Sequence, residues 1–329
     1  MDPITSRLAV AAAVVGAALT AAGCAAGAAS PASTKHLPSP FTVTNHYSAK
    51  SLGLNHPDAL AVGPDGNLYV TDLSQRVSVI SPAGKVLRRW GKPGSGPGEF
   101  KFIASDANAP TDVAGKIATG PNGTVYVSDS GNARVQEFTP QGAFIRQFGS
   151  YGTGKTQFLG PSDLVVDKAG DVYVEDGQAE TVTKFSSAGK LIWRIGATLG
   201  APDIVGHHHF TVIDAHGRIV MTNDDLNKVV YVDTSGHELD SFRPESAAFY
   251  GGNVCEATVD SAGNTYVSGC GPGPTGPTLV YDRAHRLIAK WPGTAYTLLR
   301  SPVFGPHGEV FALATDGSIL KLHITLPGG

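Results

Sequence analysis

Beyond its first thirty residues this chain has no segment with a long apolar period of 3.6, which excludes a helical bundle and a helix-layered α/β fold. It has no basic excess either. The 25 Lys and Arg against 28 Asp and Glu give a formal charge of −3, so nothing points to a nucleic-acid partner. The local cluster Lys85, Arg88, Arg89 and Lys92 reads as a solvated edge strand. Cysteine is scarce, three in 329 residues, and each has to be read singly. The apolar run at residues 8–20 is an export-signal core rather than a membrane span. In contrast, the chain is rich in glycine (41) and proline (22), and both fall at periodic turns.

Those turns belong to a repeat. A short apolar strand, a tight turn closed by glycine and a strand of the type Asn-aromatic-Val recur six times. Typical copies are Ala59-Leu-Ala-Val-Gly-Pro-Asp-Gly-Asn-Leu-Tyr-Val70 and Leu164-Val-Val-Asp-Lys-Ala-Gly-Asp-Val-Tyr-Val174. The turn glycines are Gly66, Gly123, Gly170, Gly217, Gly263 and Gly308, spaced by 57, 47, 47, 46 and 45 residues. A fixed step of this size marks an array of identical supersecondary units. In the third copy, residues 164–166, 171–174, 181–185 and 191–195 alternate with period two and form four strands.

Four-stranded units at this interval are propeller blades, so the expected fold is an all-β six-bladed propeller of antiparallel blades. The last unit supplies three strands only, at 303–304, 309–313 and 319–324. An unmatched strand, Phe-Thr-Val-Thr-Asn-His-Tyr at 41–47, precedes the first unit. Added to the last blade, it closes the ring and removes an exposed edge.

Three segments carry a family resemblance. Gly66-Asn-Leu-Tyr-Val-Thr-Asp72, Gly94-Ser-Gly-Pro-Gly-Glu-Phe100 and Gly123-Thr-Val-Tyr-Val-Ser-Asp-Ser-Gly-Asn-Ala-Arg-Val-Gln-Glu-Phe138 resemble NHL repeats. The resemblance runs from about residue 41 to the end and is sharpest in blades 1 to 3. In the later blades the aspartate after the second strand is replaced (Gly269, Ala314) or shifted (Asp224).

The N-terminus divides into two parts. Residues 1–23, with Arg7 ahead of the apolar run and Ala21-Ala-Gly-Cys24 at its end, resemble a bacterial lipoprotein export signal. That resemblance implies diacylated Cys24 and an anchor on the outer face of a membrane; the alternative is plain secretion. Residues 24–40, rich in Ala, Ser and Pro, read as a tether, and 41–329 as the propeller. Export frames the other cysteines. Cys255 and Cys270 lie about equally far from the turn at Ala262-Gly263, which predicts a disulfide in blade 5.

Two motifs reduce to scaffold. Gly149-Ser-Tyr-Gly-Thr-Gly-Lys-Thr156 matches the phosphate-loop pattern, but Gln157-Phe-Leu-Gly-Pro161 leaves no room for the helix that pattern requires. The segment Gly91-Lys-Pro-Gly-Ser-Gly-Pro-Gly-Glu-Phe100 is the same ten-residue connector one repeat earlier. Asp72, Asp129 and Asp176 each follow the second strand of a blade and read as turn caps, with Asp129 paired to Arg134 as the NHL pattern implies.

Function is expected where the six innermost strands enter the channel. Aligned by the turn glycines, the leading segments are His56-Pro-Asp58, Pro110-Thr-Asp112, Ser162-Asp163, His207-His-His-Phe210, Cys255-Glu256 and Arg300-Ser301. His207 and His209 share a face, and His208 opposes them. With Asp163 and Glu256 from flanking blades they form a candidate site for zinc or calcium; no other cofactor is expected. Pro110-Thr-Asp-Val-Ala114 resembles a segment of peptidyl-amidoglycolate lyases, and the gluconolactonase and streptogramin-lyase propellers place a cation at the same mouth. Two readings stay open. One is a non-catalytic binding module for a protein, peptide or cell-wall ligand. The other is a metal-dependent lyase or lactone hydrolase, with His209, Glu256 and Arg300 as its catalytic candidates.

Overall fold

The computed structural model describes residues 37, 39–102, 104–106, 109–113, 115–196, 199–201, 211–245, 253–269, 277–291 and 302–327. Five of the blades are runs of consecutive antiparallel strands. Blade 1 holds β2 (Pro57–Val62), β3 (Leu68–Asp72), β4 (Arg76–Ile80) and β5 (Val86–Trp90). Blade 2 holds β8 (Ile117–Thr119), β9 (Val125–Asp129), β10 (Arg134–Phe138) and β11 (Phe144–Phe148). Blade 3 follows with β12 (Pro161–Val166), β13 (Val172–Asp176), β14 (Thr181–Phe185) and β15 (Leu191–Gly196). Blade 4 has β16 (Thr211–Ile213), β17 (Ile219–Asn223), β18 (Lys228–Val232) and β19 (Glu238–Phe242). Blade 5 has β20 (Val254–Val259), β21 (Thr265–Gly269), β22 (Thr278–Tyr281) and β23 (Leu287–Trp291).

The sixth blade is composite. Its strands β24 (Val303–Phe304), β25 (Val310–Leu313) and β26 (Ile319–Ile324) are completed by β1 (Phe41–Tyr47), which pairs antiparallel with β26 from Phe41↔Ile324 to Tyr47↔Ile319. The N-terminal strand therefore closes the ring as the sequence implies. Its seal is apolar: Phe41 lies against Trp291 and Tyr266, with ring centroids 4.5 and 5.7 Å apart.

Alternation within each strand builds the core. One face of a blade packs on the blade before it and the other on the blade after it. Six buried clusters result, one at each junction; Tyr69, Phe100 and Phe138 anchor the junction of blades 1 and 2, and Val220, Tyr231 and Ala257 that of blades 4 and 5. The turn glycines Gly66 to Gly308 all sit at φ between 75 and 85°, where a Cβ would be strained.

One departure from the repeat is structural. The step from Gly66 to Gly123 exceeds the next by ten residues, and a ten-residue hairpin of β6 (Ala104–Asp106) and β7 (Ala109–Val113) occupies 104–113. Pro110, Thr111 and Asp112 therefore lie on β7, beside β2, rather than on the inner strand of blade 2. Lys116 leads that strand instead. Asp112 stands eleven residues before Gly123, whereas Asp58 and Asp163 stand eight and seven before Gly66 and Gly170, so the Pro-x-Asp likeness and not the distance from the turn put the motif at the entry.

Candidate functional site

The inner strands of blades 1, 3 and 5 each carry a bulge at the channel mouth. The unpaired residues are Asp58, Ser162 and Cys255, falling between the register pairs of their neighbours. A bulge re-aims side chains and bends the strand, and it sets what the mouth displays. In blade 5 Val254 faces Gly269 and Glu256 faces Ser268, with Cys255 between them. Cys270, like Cys24, lies outside the described residues.

Charges at the mouth are buried. Asp58 and Lys116 form an ion pair of 3.7 Å between blades 1 and 2, both nearly sequestered from solvent. Asp163 of blade 3 is buried, and its Oδ1 accepts the Leu164 N–H at 2.8 Å. Directly across the register stands Glu175, also buried, whose Oε1 accepts the Ser162 hydroxyl at 3.0 Å. Val165 and Tyr173, on the same side of the sheet, pack against Ile219 and Met221 of blade 4. Asp163 and Glu175 therefore share the face turned to blade 4.

Glu256 points the other way. Ala257 and Val259 pack on Val220 and Tyr231 of blade 4, so Glu256 and Thr258 occupy the face toward blade 6. Of the four ligands expected from sequence, Asp163 lies on the blade-4 side and Glu256 on the blade-6 side. His207, His209 and Arg300 lie outside the described residues, among which no three metal-ligating side chains converge. Sequence reasoning missed Glu175, although it breaks the repeat: the equivalent residues are Thr71, Ser128, Thr222 and Ser268 in blades 1, 2, 4 and 5.

The repeated aspartates are spent on architecture, as their periodicity implies. Asp72 accepts N–H groups of Asn55 (3.3 Å) and Ser74 (2.9 Å) and pairs with Arg76 at 3.0 Å. Asp129 takes Lys101 N–H at 2.7 Å, Arg134 Nε at 2.8 Å and Gln136 Nε2 at 3.0 Å. Asp176 accepts N–H groups of Leu159 (2.6 Å) and Gly160 (3.2 Å). Each carboxylate thus rivets the end of its blade's second strand to the segment leading into that same blade. The phosphate-loop look-alike is scaffold as well. Pro93↔Phe100 and Tyr151↔Phe158 bridge in the same parallel manner, both phenylalanines are fully buried, and no helix follows.

Three members of the cationic edge cluster are bonded within the scaffold. Arg88 Nε donates to Pro140 O at 3.1 Å, Arg89 Nε to Ser78 Oγ at 3.1 Å, and Lys92 pairs with Glu99 at 3.1 Å.

Fold and mouth together define a closed six-bladed β-propeller with buried charges at its channel. Within blade 2 the family model named NHL repeat matches residues 111–138. Protein brain tumor of Drosophila melanogaster is 29% identical over 147 residues, 44% of this chain and 13% of that protein. The peptidyl-glycine alpha-amidating monooxygenase of Mus musculus is 36% identical over 121 residues, 33% of this chain and 11% of that enzyme. The chain thus aligns with only a small share of these relatives. Among solved structures, virginiamycin B lyase from Staphylococcus aureus superposes with a TM-score of 0.57 at 14% identity, covering 87% of this chain and all of that one. A streptogramin B lyase structure gives 0.55 at 13% identity, over 87% of this chain and 98% of that one. At such identities the likeness is one of fold.

Proposed function

We propose that this chain is an exported, lipid-anchored propeller serving as a non-catalytic binding module at the cell envelope. One propeller face offers a rigid docking surface to a protein, peptide or cell-wall ligand. The observation that carries this reading is the fate of Asp72, Asp129 and Asp176. These carboxylates, the ones the repeat supplies in blades 1 to 3, are fully buried and saturated by scaffold bonds. Anchoring rests on the apolar run at residues 8–20 and the Ala21-Ala-Gly-Cys24 that follows it, and a Cys255–Cys270 disulfide would staple blade 5 in an oxidising compartment. Detergent partitioning of wild type against Cys24→Ser tests the anchor: wild type should enter the detergent phase and the variant should not. Equal partitioning refutes it.

A second reading is favoured by the Asp163–Glu175 pair. Two buried carboxylates on the face turned to blade 4 suit a hard or borderline cation alongside imidazole donors from His207 and His209. Such a cation supplies Lewis acidity, polarising a carbonyl or stabilising an enolate in a lyase or lactone hydrolase. Arg300 would hold an anionic substrate group, and Glu256, on the face toward blade 6, is the further carboxylate candidate for the cation. Elemental analysis separates the two readings. A stoichiometric divalent metal lost in His209→Ala establishes the enzyme site, whereas a stable, metal-free protein leaves the binding module.

A further inference from the structure

Side chains that break the repeat converge at the opposite end of the strands. On the turn face, a groove of about 280 Å³ between blades 4 and 5 is lined by His216, Arg218, Tyr231, Gly263, Arg283 and His285. His285 is the clearest departure. The turn joining the third and fourth strands closes on Gly84, Gly142, Gly189 and Gly236 in blades 1 to 4, each at φ between 76 and 91°. Blade 5 places His285 in that conformation, at φ 57°, with the same turn bond from its N–H to Asp282 O at 2.9 Å. A side chain there carries a penalty that glycine avoids.

The imidazole of His285 is locked in place. It stacks on Phe242 at 4.3 Å and on Tyr231 at 5.8 Å, with Nε2 3.5 Å from Asp240. Arg218 stands where blades 1, 2, 3 and 5 have Asn67, Thr124, Asp171 and Asn264. Its Nε donates to Asp214 at 2.7 Å and its guanidinium lies 4.5 Å from the Tyr231 ring centroid. The terminal nitrogens of Arg218 have no bond among the described residues. Arg283 donates through Nε to Ala262 O at 2.5 Å and pairs with no carboxylate among the described residues. Its neighbour Arg286, just outside the groove, is committed to Asp282 at 2.6 Å. The Tyr231 hydroxyl is engaged with Thr265 at 2.6 Å, so Tyr231 offers the groove a ring rather than a donor.

Two guanidinium forks with free donors beside an aromatic surface are suited to planar oxyanions on a small organic body. The volume is near the lower limit of small-molecule sites, roughly 300 Å³, which sets the body at one building block in size. We propose that this groove binds a small organic oxyanion, a carboxylate or a phosphate monoester, through Arg218 and Arg283, with His216 and His285 as its flanking walls. The proposal concerns the turn face and is independent of both readings of the channel mouth.

Titration calorimetry on the mature chain, with citrate and with inorganic phosphate at constant ionic strength, tests it. The expected result is saturable binding with a Kd of about 1 mM or tighter. Arg283→Gln and Arg218→Gln should each weaken it about tenfold. Preference for citrate assigns the site to carboxylates and preference for phosphate to phosphate monoesters. His285→Gly restores the glycine of the other blades, so it should melt at or above the wild-type temperature while binding more weakly. No saturation with either anion, an equal response to chloride, or undiminished binding in Arg283→Gln or His285→Gly would overturn the proposal.

Discussion

Blades 2 and 5 share four antiparallel strands, yet they are tied into the ring by different means. In blade 2 a buried carboxylate, Asp129, gathers Lys101 N–H, Arg134 and Gln136 into one network that binds strand β9 to the connector ahead of it. In blade 5 the same position is Gly269, and the junction with blade 6 rests on aromatic packing of Tyr266 with Phe41 and Phe304. Where the repeat is kept, polar residues serve cohesion. Where it is dropped, apolar packing takes over the cohesion, and departing side chains such as His285 and Arg283 line a groove instead.

The largest test of this contrast is Asp129→Ala. It leaves the Arg134 guanidinium, 6% exposed, buried without its anion, a change that costs about 3–5 kcal/mol. Asn223→Ala, at the equivalent place in blade 4, removes a neutral amide that accepts Leu226 N–H at 3.0 Å, worth roughly 0.5–1.5 kcal/mol. Urea unfolding of both variants measures the difference. Equal losses would show that the aspartate is no more than one hydrogen bond among many, and the contrast between blades would fall.

Next in size is the closing strand. Phe41 is buried between blades 5 and 6 against Trp291 and Tyr266, so Phe41→Ala should cost about 3 kcal/mol by transfer and cavity formation together. Because the loss is apolar, it should change little between low and high salt. A loss below about 1 kcal/mol would mean that β1 is held by its ladder to β26 alone.

The period of the turn glycines made the architecture readable, since each glycine marks a left-handed position that few other residues tolerate. The unmatched strand at 41–47 was equally plain, because a ring with an open edge demands a partner. Three features were not legible, each for a physical reason. The hairpin at 104–113 announces itself only as ten surplus residues in one step, and surplus length does not say on which side of the strand it lies. The bulges at Asp58, Ser162 and Cys255 are set by three-dimensional register rather than by composition. They put Cys255 between its neighbours' partners rather than squarely opposite one residue, which the symmetric spacing about Gly263 could not reveal. Glu175 was legible in principle, as a carboxylate where blades 1, 2, 4 and 5 carry a hydroxyl.

The smallest effect compares two connectors of one shape. In the first, Glu99 accepts Gly96 N–H at 2.8 Å and pairs with Lys92 at 3.1 Å; in the second, Gln157 accepts Gly154 N–H at 3.0 Å. The Gly96 N–H and then the Lys92 ammonium hold the Glu99 carboxyl below its ordinary range. A depressed folded-state pKa adds stability above the unfolded value, about 4.3, and that stability fades as pH falls through the folded value. Glu99→Gln should therefore lower the urea midpoint slightly at neutral pH and match wild type once the carboxyl is protonated. Gln157→Glu is not its mirror image. The Gln157 amide also donates to Ser150 Oγ at 3.3 Å and Tyr151 O at 3.2 Å, bonds a carboxylate cannot make. That variant should lose stability at neutral pH and regain part of it on acidification; both variants approach wild type in acid, Glu99→Gln because wild type loses its carboxylate and Gln157→Glu because the variant loses its own. A Gln157→Glu midpoint that does not rise on acidification would show that charge and amide are interchangeable in the two connectors.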